Sequence, residues 1–142
     1  MSITLIKIYK TIIINKKILR SKIKYMTPQQ LKDEIVSVFR QKKTRDLTII
    51  DISSVSSIAD YYVIVSGRTN TQVRSLVEFL DEKLEEKGIY SIRKDGAKEG
   101  IWTVIDYASV IVHVFEENTR KLFDLEKLWD SGDNVTHIEN DI

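Results

Sequence analysis

Glu99-Gly-Ile-Trp-Thr-Val-Ile-Asp-Tyr-Ala-Ser-Val-Ile-Val-His-Val-Phe115 is the stretch whose reading decides the fold. It reads as two apolar strands joined by a short polar turn, with Trp102, Asp106 and Tyr107 beside the turn. In the second strand Val110, Val112 and Val114 alternate with Ile111, His113 and Phe115, which puts bulk on both faces and marks a central strand. The first strand sets Ile101, Thr103 and Ile105 against Trp102, Val104 and Asp106. A large aromatic and a carboxylate thus share one face, as a core corner or a recognition surface would.

Working outward, Ile89 to Lys94 forms the preceding strand, and Asp95-Gly96 with Lys98-Glu99-Gly100 supplies the turn into the hairpin. Glu116 to Trp129 is expected to be one helix burying Leu122, Leu125, Leu128 and Trp129. Residues 130–142 read as a short, polar, loosely held tail. Upstream, Thr27-Pro28-Gln29-Gln30 has the cap, the proline and the glutamine of a capping box, opening an amphipathic helix from Pro28 to about Lys43. Leu47 to Ile52 and Tyr61 to Ser66 are strands separated by a serine-rich loop. After the second, Ser66-Gly67-Arg68-Thr69-Asn70 turns into a helix capped by Thr69 or Asn70. That helix carries Val73, Leu76, Val77, Leu80 and Leu84 on one stripe and stops at Gly88. The strand–helix–strand order implies a right-handed crossover. The fold class is therefore α/β: a mixed five-stranded sheet flanked by helices, in the order α-β-β-α-β-β-β-α.

The chain of 142 residues is sized for one domain with a real core. It has no cysteine, which excludes disulfides and thiolate metal sites, and His113 and His137 are its only histidines. Residues 1–25 hold seven bases and no acid (+7), so a net charge of +1 leaves −6 on residues 26–142. An acidic domain is a poor candidate for gripping nucleic acid and suits a basic protein partner better. The basic extension has three readings: an organellar transit segment, a basic arm, or upstream codons preceding a true start at Met26. The third is favoured, because Met26 is the only other methionine and precedes the capping box. A start at Met26 implies a bacterial cytoplasm, and a cleaved transit segment an organelle matrix. The run from Thr11 to Ile14 is far too short to span a bilayer.

Candidate chemistry is sparse. The turn Ser66-Gly67 lies where α/β proteins hold phosphate, yet it lacks the further glycines of a Rossmann fingerprint and the Lys-Ser/Thr of a P-loop. No Asp-x-Asp or Glu-x-Asp pair occurs in the body of the domain; Glu139-Asn140-Asp141, in the tail, has the only such spacing. Asp106 and His113 with Ser66 or Ser109 suggest a hydrolase only weakly, since no nucleophile elbow is present and His113 lies inside a strand. Trp102 alone reads as a core aromatic. Tyr107 alone reads the same way, but in a tight turn a ring rarely finds enough core to bury it, and aromatics at a partly exposed strand end ringed by Glu99 and Asp106 form the kind of anchor that dominates protein interfaces.

Five segments, in order, carry a resemblance: Ser56-Ser57-Ile58-Ala59-Asp60-Tyr61-Tyr62-Val63-Ile64; Ser66-Gly67 through Gln72-Val73-Arg74; Glu99-Gly100-Ile101-Trp102 through Asp106-Tyr107; Val110 to Phe115; and Leu125-Glu126-Lys127-Leu128-Trp129. Over about Leu31 to Trp129 the chain resembles the ribosomal silencing factors, or Iojap-like family. Ala108-Ser109 departs from the glycine and aspartate usual after the tyrosine. The resemblance implies a nucleotidyltransferase-like fold without catalytic carboxylates, no enzyme activity and no cofactor. It further implies binding of the large ribosomal subunit through ribosomal protein uL14, blocked joining of the small subunit, and repression of translation when nutrients are scarce. A link to large-subunit assembly and a homodimer in the free protein are also implied. Trp102, Asp106 and Tyr107 are carried over as the partner-binding anchor, with Glu99 and Glu116 as nearby acids. The competing functions are a nucleotidyltransferase-like enzyme or nucleotide-binding protein, and a general dimeric interaction module.

Overall fold

A computed structural model describes residues 3–42 and 44–139. Helix α1 (Ile3–Arg20) leads, through a 3₁₀ turn at Lys22–Tyr25, into α2 (Pro28–Arg40). The capping box at α2 is complete: Thr27 Oγ1 accepts from the Gln30 N–H at 3.1 Å, and Gln30 Oε1 accepts from the Thr27 N–H at 2.9 Å. This helix ends at Arg40; Lys43, its expected end, lies outside the described residues.

Strands β1 (Arg45–Asp51) and β2 (Tyr61–Gly67) pair antiparallel, and α3 (Asn70–Glu86) follows with Thr69 as its N-cap. Strands β3 (Arg93–Asp95), β4 (Trp102–Asp106) and β5 (Val110–Glu116) form an antiparallel meander. The meander joins the rest through seven parallel rungs, from Tyr61 opposite Val110 to Gly67 opposite Glu116. A strand β6 (Val135–Ile138) completes a six-stranded sheet in the order β3-β4-β5-β2-β1-β6.

Four expectations are corrected. The strand expected from Ile89 begins only at Arg93, because the preceding backbone is otherwise committed: Ile89 N–H donates to Leu84 O and Tyr90 N–H to Ser21 Oγ. The segment expected to be a loose tail contains β6, which pairs with β1 from Leu47 opposite Ile138 to Ile50 opposite Val135. Asn134 positions it, donating through Nδ2 to Asp51 O and Trp129 O at 2.9 Å each. The sheet therefore has six strands rather than five. Finally, the expected closing helix is two short ones, α4 (Glu117–Phe123) and α5 (Leu125–Trp129), broken at Asp124 with φ 45°. That one left-handed residue resets the helical phase, leaving Leu122 80% and Leu128 72% exposed while Leu125 stays buried and Trp129 half-buried.

Helices α2 and α3 cover one sheet face, burying Leu31, Ile35, Val38 and Phe39 of α2 and Val73, Leu76, Val77, Leu80 and Leu84 of α3 against Val63, Val65, Val112 and Val114. A second, smaller core lies on the opposite face: Ile50, Ile52, Ile64, Phe115 and Leu125 are buried with Tyr62, Trp102 and Trp129 beside them. Gly67 is needed where β2 passes under α3, since a Cβ there would sit 3.1 Å from Val73 N. That is a packing role.

The β4–β5 turn holds Ala108 at φ 70°, a left-handed conformation in which a Cβ is strained. Asp106 Oδ1 accepts from the Ala108 N–H at 2.8 Å and fixes the turn. Ala108→Gly is expected to raise stability by about 0.5–1 kcal/mol in urea unfolding, strain relief outweighing the greater freedom of the unfolded chain.

Candidate functional site

The five residues singled out from the sequence do not form one cluster. Trp102 and Asp106 share a face of β4 but stand at opposite ends of the strand. Glu116 lies at the Trp102 end, where its N–H donates to Ile101 O at 2.8 Å and its neighbour Phe115 is opposite Trp102 in register. Glu99, exposed, precedes Ile101 by two residues. Tyr107 stands with Asp106 at the far end.

Tyr107 corrects the expectation of a partly exposed turn aromatic. It is fully buried, curled under the sheet edge into the α2/α3 core, and its hydroxyl donates to Asp81 Oδ1 of α3 at 3.3 Å. Burial, reinforced by the charge of Glu85, pushes its phenol well above the usual range. Lys94 of β3 pairs with the same Asp81 carboxylate, so Tyr107 helps tie the sheet edge to α3. Its ring is a strut.

Trp102, by contrast, is half-buried at the surface of the smaller core. Its ring stacks on Phe115 at a centroid distance of 4.8 Å and meets Phe123 at 4.8 Å. Its indole N–H donates to His113 Nδ1 at 3.1 Å, which fixes the orientation of the ring. Phe123 is 51% exposed, and its chain neighbour Leu122 and, on α5, Leu128 are exposed as well. Sequence reasoning missed Phe123 and the outward leucines, having assumed an unbroken helix; Asp124, a residue type that tolerates the left-handed region, was the available signal.

Glu116 acts as the N-cap of α4, its carboxylate accepting from the N–H groups of Asn118 at 3.0 Å and Thr119 at 3.1 Å. The bond from the Asn118 N–H leads the causes that hold its carboxyl below the usual range. Asp106 is likewise engaged in its turn. Both acids shape the surface while remaining half-exposed.

The alternative chemistries find other uses for their residues. Ser66 is buried and its Oγ accepts from Arg120 Nη1 at 2.9 Å. Arg120 also donates through Nη2 to Thr48 Oγ1 at 2.8 Å and through Nε to Glu126 Oε1 at 2.7 Å. These bonds knit α4 and α5 to the sheet at one wall of a cleft of about 480 Å³, whose rim includes Asp46, Glu117 and Asp124. At the start of α3 the Gln72 N–H is capped internally by Thr69 Oγ1 at 3.1 Å. His113 and Asp106 stand two rungs apart on β5 and β4, each bonded elsewhere. Among the described residues, no group of three or more His, Asp or Glu side chains is placed to hold a metal ion, and no helix is long and apolar enough to cross a membrane.

Residues 25–142 match the family model for the ribosomal silencing factor during starvation. The chain belongs to the ribosomal silencing factor family. It is 33% identical over 88 residues to the ribosomal silencing factor RsfS of Bacillus subtilis, covering 62% of this chain and 75% of that one. With its counterpart in Halalkalibacterium halodurans the identity is 32% over 110 residues, covering 78% and 94%. A mouse protein named mitochondrial assembly of ribosomal large subunit protein 1 is 29% identical over 100 residues, covering 68% of this chain and 44% of its own. A crystal structure of a Chromobacterium violaceum protein superposes with a TM-score of 0.70 at 28% identity, covering 73% of this chain and 87% of that one. The matched family region includes β6. Within this silencing-factor fold, His113 is the buried group on which the exposed aromatic surface leans.

Burial pushes the His113 imidazole down to about 4, from an ordinary value of 6.5. Its folded pKa therefore lies below its unfolded one, so the stabilisation is full above pH 6.5 and is lost as pH falls through about 4. Relative to a His113→Gln variant, the wild type is expected to lose about 3 kcal/mol across that window in urea unfolding. Nuclear magnetic resonance should find the His113 ring still neutral at pH 5.

Proposed function

We propose that this chain represses translation by occupying the large ribosomal subunit: it docks the surface around Trp102 on ribosomal protein uL14, and the bound domain stands where the small subunit would join. In this reading repression operates when nutrients are scarce, in the cytoplasm, or in an organelle matrix if residues 1–25 are a cleaved leader. The action is steric and needs no catalysis or cofactor.

The observation that carries the reading is the aromatic pair Trp102 and Phe123, in ring contact and partly open to solvent, on a domain of net charge −6 that also exposes Leu122 beside Phe123 on α4 and Leu128 on α5. Aromatic anchors supply affinity once desolvated, and the acidic field steers a basic partner while repelling bare RNA. Ribosomal proteins are such partners. Family membership supports the ribosome as the target, and the name of the mouse relative connects the fold with assembly of a ribosomal large subunit. Glu99, Asp106 and Glu116 are read as the acidic rim, and Tyr107 as the strut holding the turn. A free homodimer, if formed, would compete for the same aromatic surface, and dilution during sizing would reveal it.

The test is sedimentation with separated ribosomal subunits, followed by a subunit-joining assay. Wild type should comigrate with the large subunit alone and block joining. Trp102→Ala and Phe123→Ala should each weaken binding about 30-fold, as for central anchors worth ~2 kcal/mol. Tyr107→Phe, which removes only a buried hydroxyl, should bind within about twofold of wild type, because a group off the interface contributes little directly. Comigration with neither subunit would overturn the reading, and a thermal shift on adding nucleotide with magnesium would then favour the nucleotide-binding alternative.

A further inference from the structure

We propose that α1 is an RNA-binding arm, gripping the phosphate backbone of ribosomal RNA; the proposal rests on the ribosome reading above. Lys10, Lys16, Lys17 and Arg20 are all exposed on this helix, and residues 1–25 contain no acid to neutralise them. Across the sequence, charge is thus split between an arm of +7 and a body of −6. Such a body repels polyanions, so attachment to a surface rich in RNA calls for a separate cationic element.

The arm is rooted in the domain. Ser21 is buried and its Oγ accepts from the Tyr90 N–H at 3.2 Å, while the Lys22 N–H donates to Gly88 O at 2.9 Å. Ile23 and Met26 pack against the larger core, and Lys17 Nζ lies 6.0 Å from the Tyr90 ring centre. Two residues beyond Tyr90, the Ile92 N–H donates to Asp106 O at 2.7 Å. The root therefore adjoins the Asp106 end of β4, the end away from Trp102. From there the 18 residues of α1 reach about 27 Å, several Debye lengths at physiological salt.

RNA is favoured over a lipid surface by how the side chains are distributed. An interfacial helix segregates apolar from basic residues. At about 100° per residue, Ile3 and Ile6 fall on the same side as Lys10 and Lys17, and Lys16 falls between Ile12 and Tyr9. The cations of α1 fall within one half of the helix, where Ile3, Ile6 and Tyr9 are interleaved with them instead of standing apart as an apolar face, and exposed Tyr9 offers a ring on which a base can stack.

The experiment compares the full chain with a combined Lys10→Gln, Lys16→Gln, Lys17→Gln, Arg20→Gln variant. Glutamine keeps the helix propensity. Binding is measured to an RNA duplex of about 20 base pairs, to purified uL14 and to vesicles of phosphatidylserine and phosphatidylcholine, across a salt series. The variant is expected to lose at least tenfold in RNA affinity, with its log–log salt slope reduced by about 3, and to bind uL14 unchanged. Equal RNA affinity and slope for the two proteins would overturn the proposal, as would binding to vesicles in preference to RNA. Loss of uL14 binding by both proteins, with the RNA difference intact, would remove the docking reading and leave the arm standing.

Discussion

A parallel pair in the middle of the sheet governs this structure. Over the seven rungs of β2 and β5 nearly every side chain is buried or half-buried, and both faces need cover. Helices α2 and α3 supply it fully on one side. On the other, α4 and α5 are the only helices among the described residues, seven and five residues long. Cover of that length cannot close over the β4 margin. Trp102 is left half-open as a direct result, and the surface proposed to meet the ribosome is the portion of the smaller core that the domain does not cover for itself.

Polar bonds hold this thinner layer where apolar area is scarce. Arg120 reaches from α4 to Ser66 and Thr48 of the sheet and to Glu126 of α5, and Glu116 caps α4 as it leaves β5. A buried guanidinium is tolerable because its donors are matched by hydroxyls and a carboxylate. The layer is therefore fixed in direction more than in depth, which suits a surface that must present rings at set angles.

Much of the fold was legible where local chemistry and periodicity agreed. Thr27 to Gln30 announced α2, the stripe from Val73 to Leu84 announced α3, and the alternation from Val110 to Phe115 marked β5 as central. Misreadings arose where distant partners decide. Tyr107 looks like a loop-tip ring until Asp81, on another element, accepts its hydroxyl. Ile89 and Tyr90 have strand-like composition, but their N–H groups are taken by α3 and by Ser21. Leu122 and Leu128 followed a helical period that Asp124 interrupts. Trp102 was recognisable as a residue of interest, while its exposed companion Phe123 depended on that break.

The last strand changes what counts as the end of the domain. The leucine-rich segment ending at Trp129 completes the apolar core, so a shortened protein stopping there would keep its buried interior. It would, however, bare the outer hydrogen-bonding groups of β1 from Leu47 to Ile50, which β6 satisfies. An open row of strand N–H and C=O groups is a template for another chain. Four residues of modest hydrophobicity, Val135 to Ile138, thus act as a selvedge: they add little to the core and move the open edge from the seven residues of β1 to a strand of four, a shorter template.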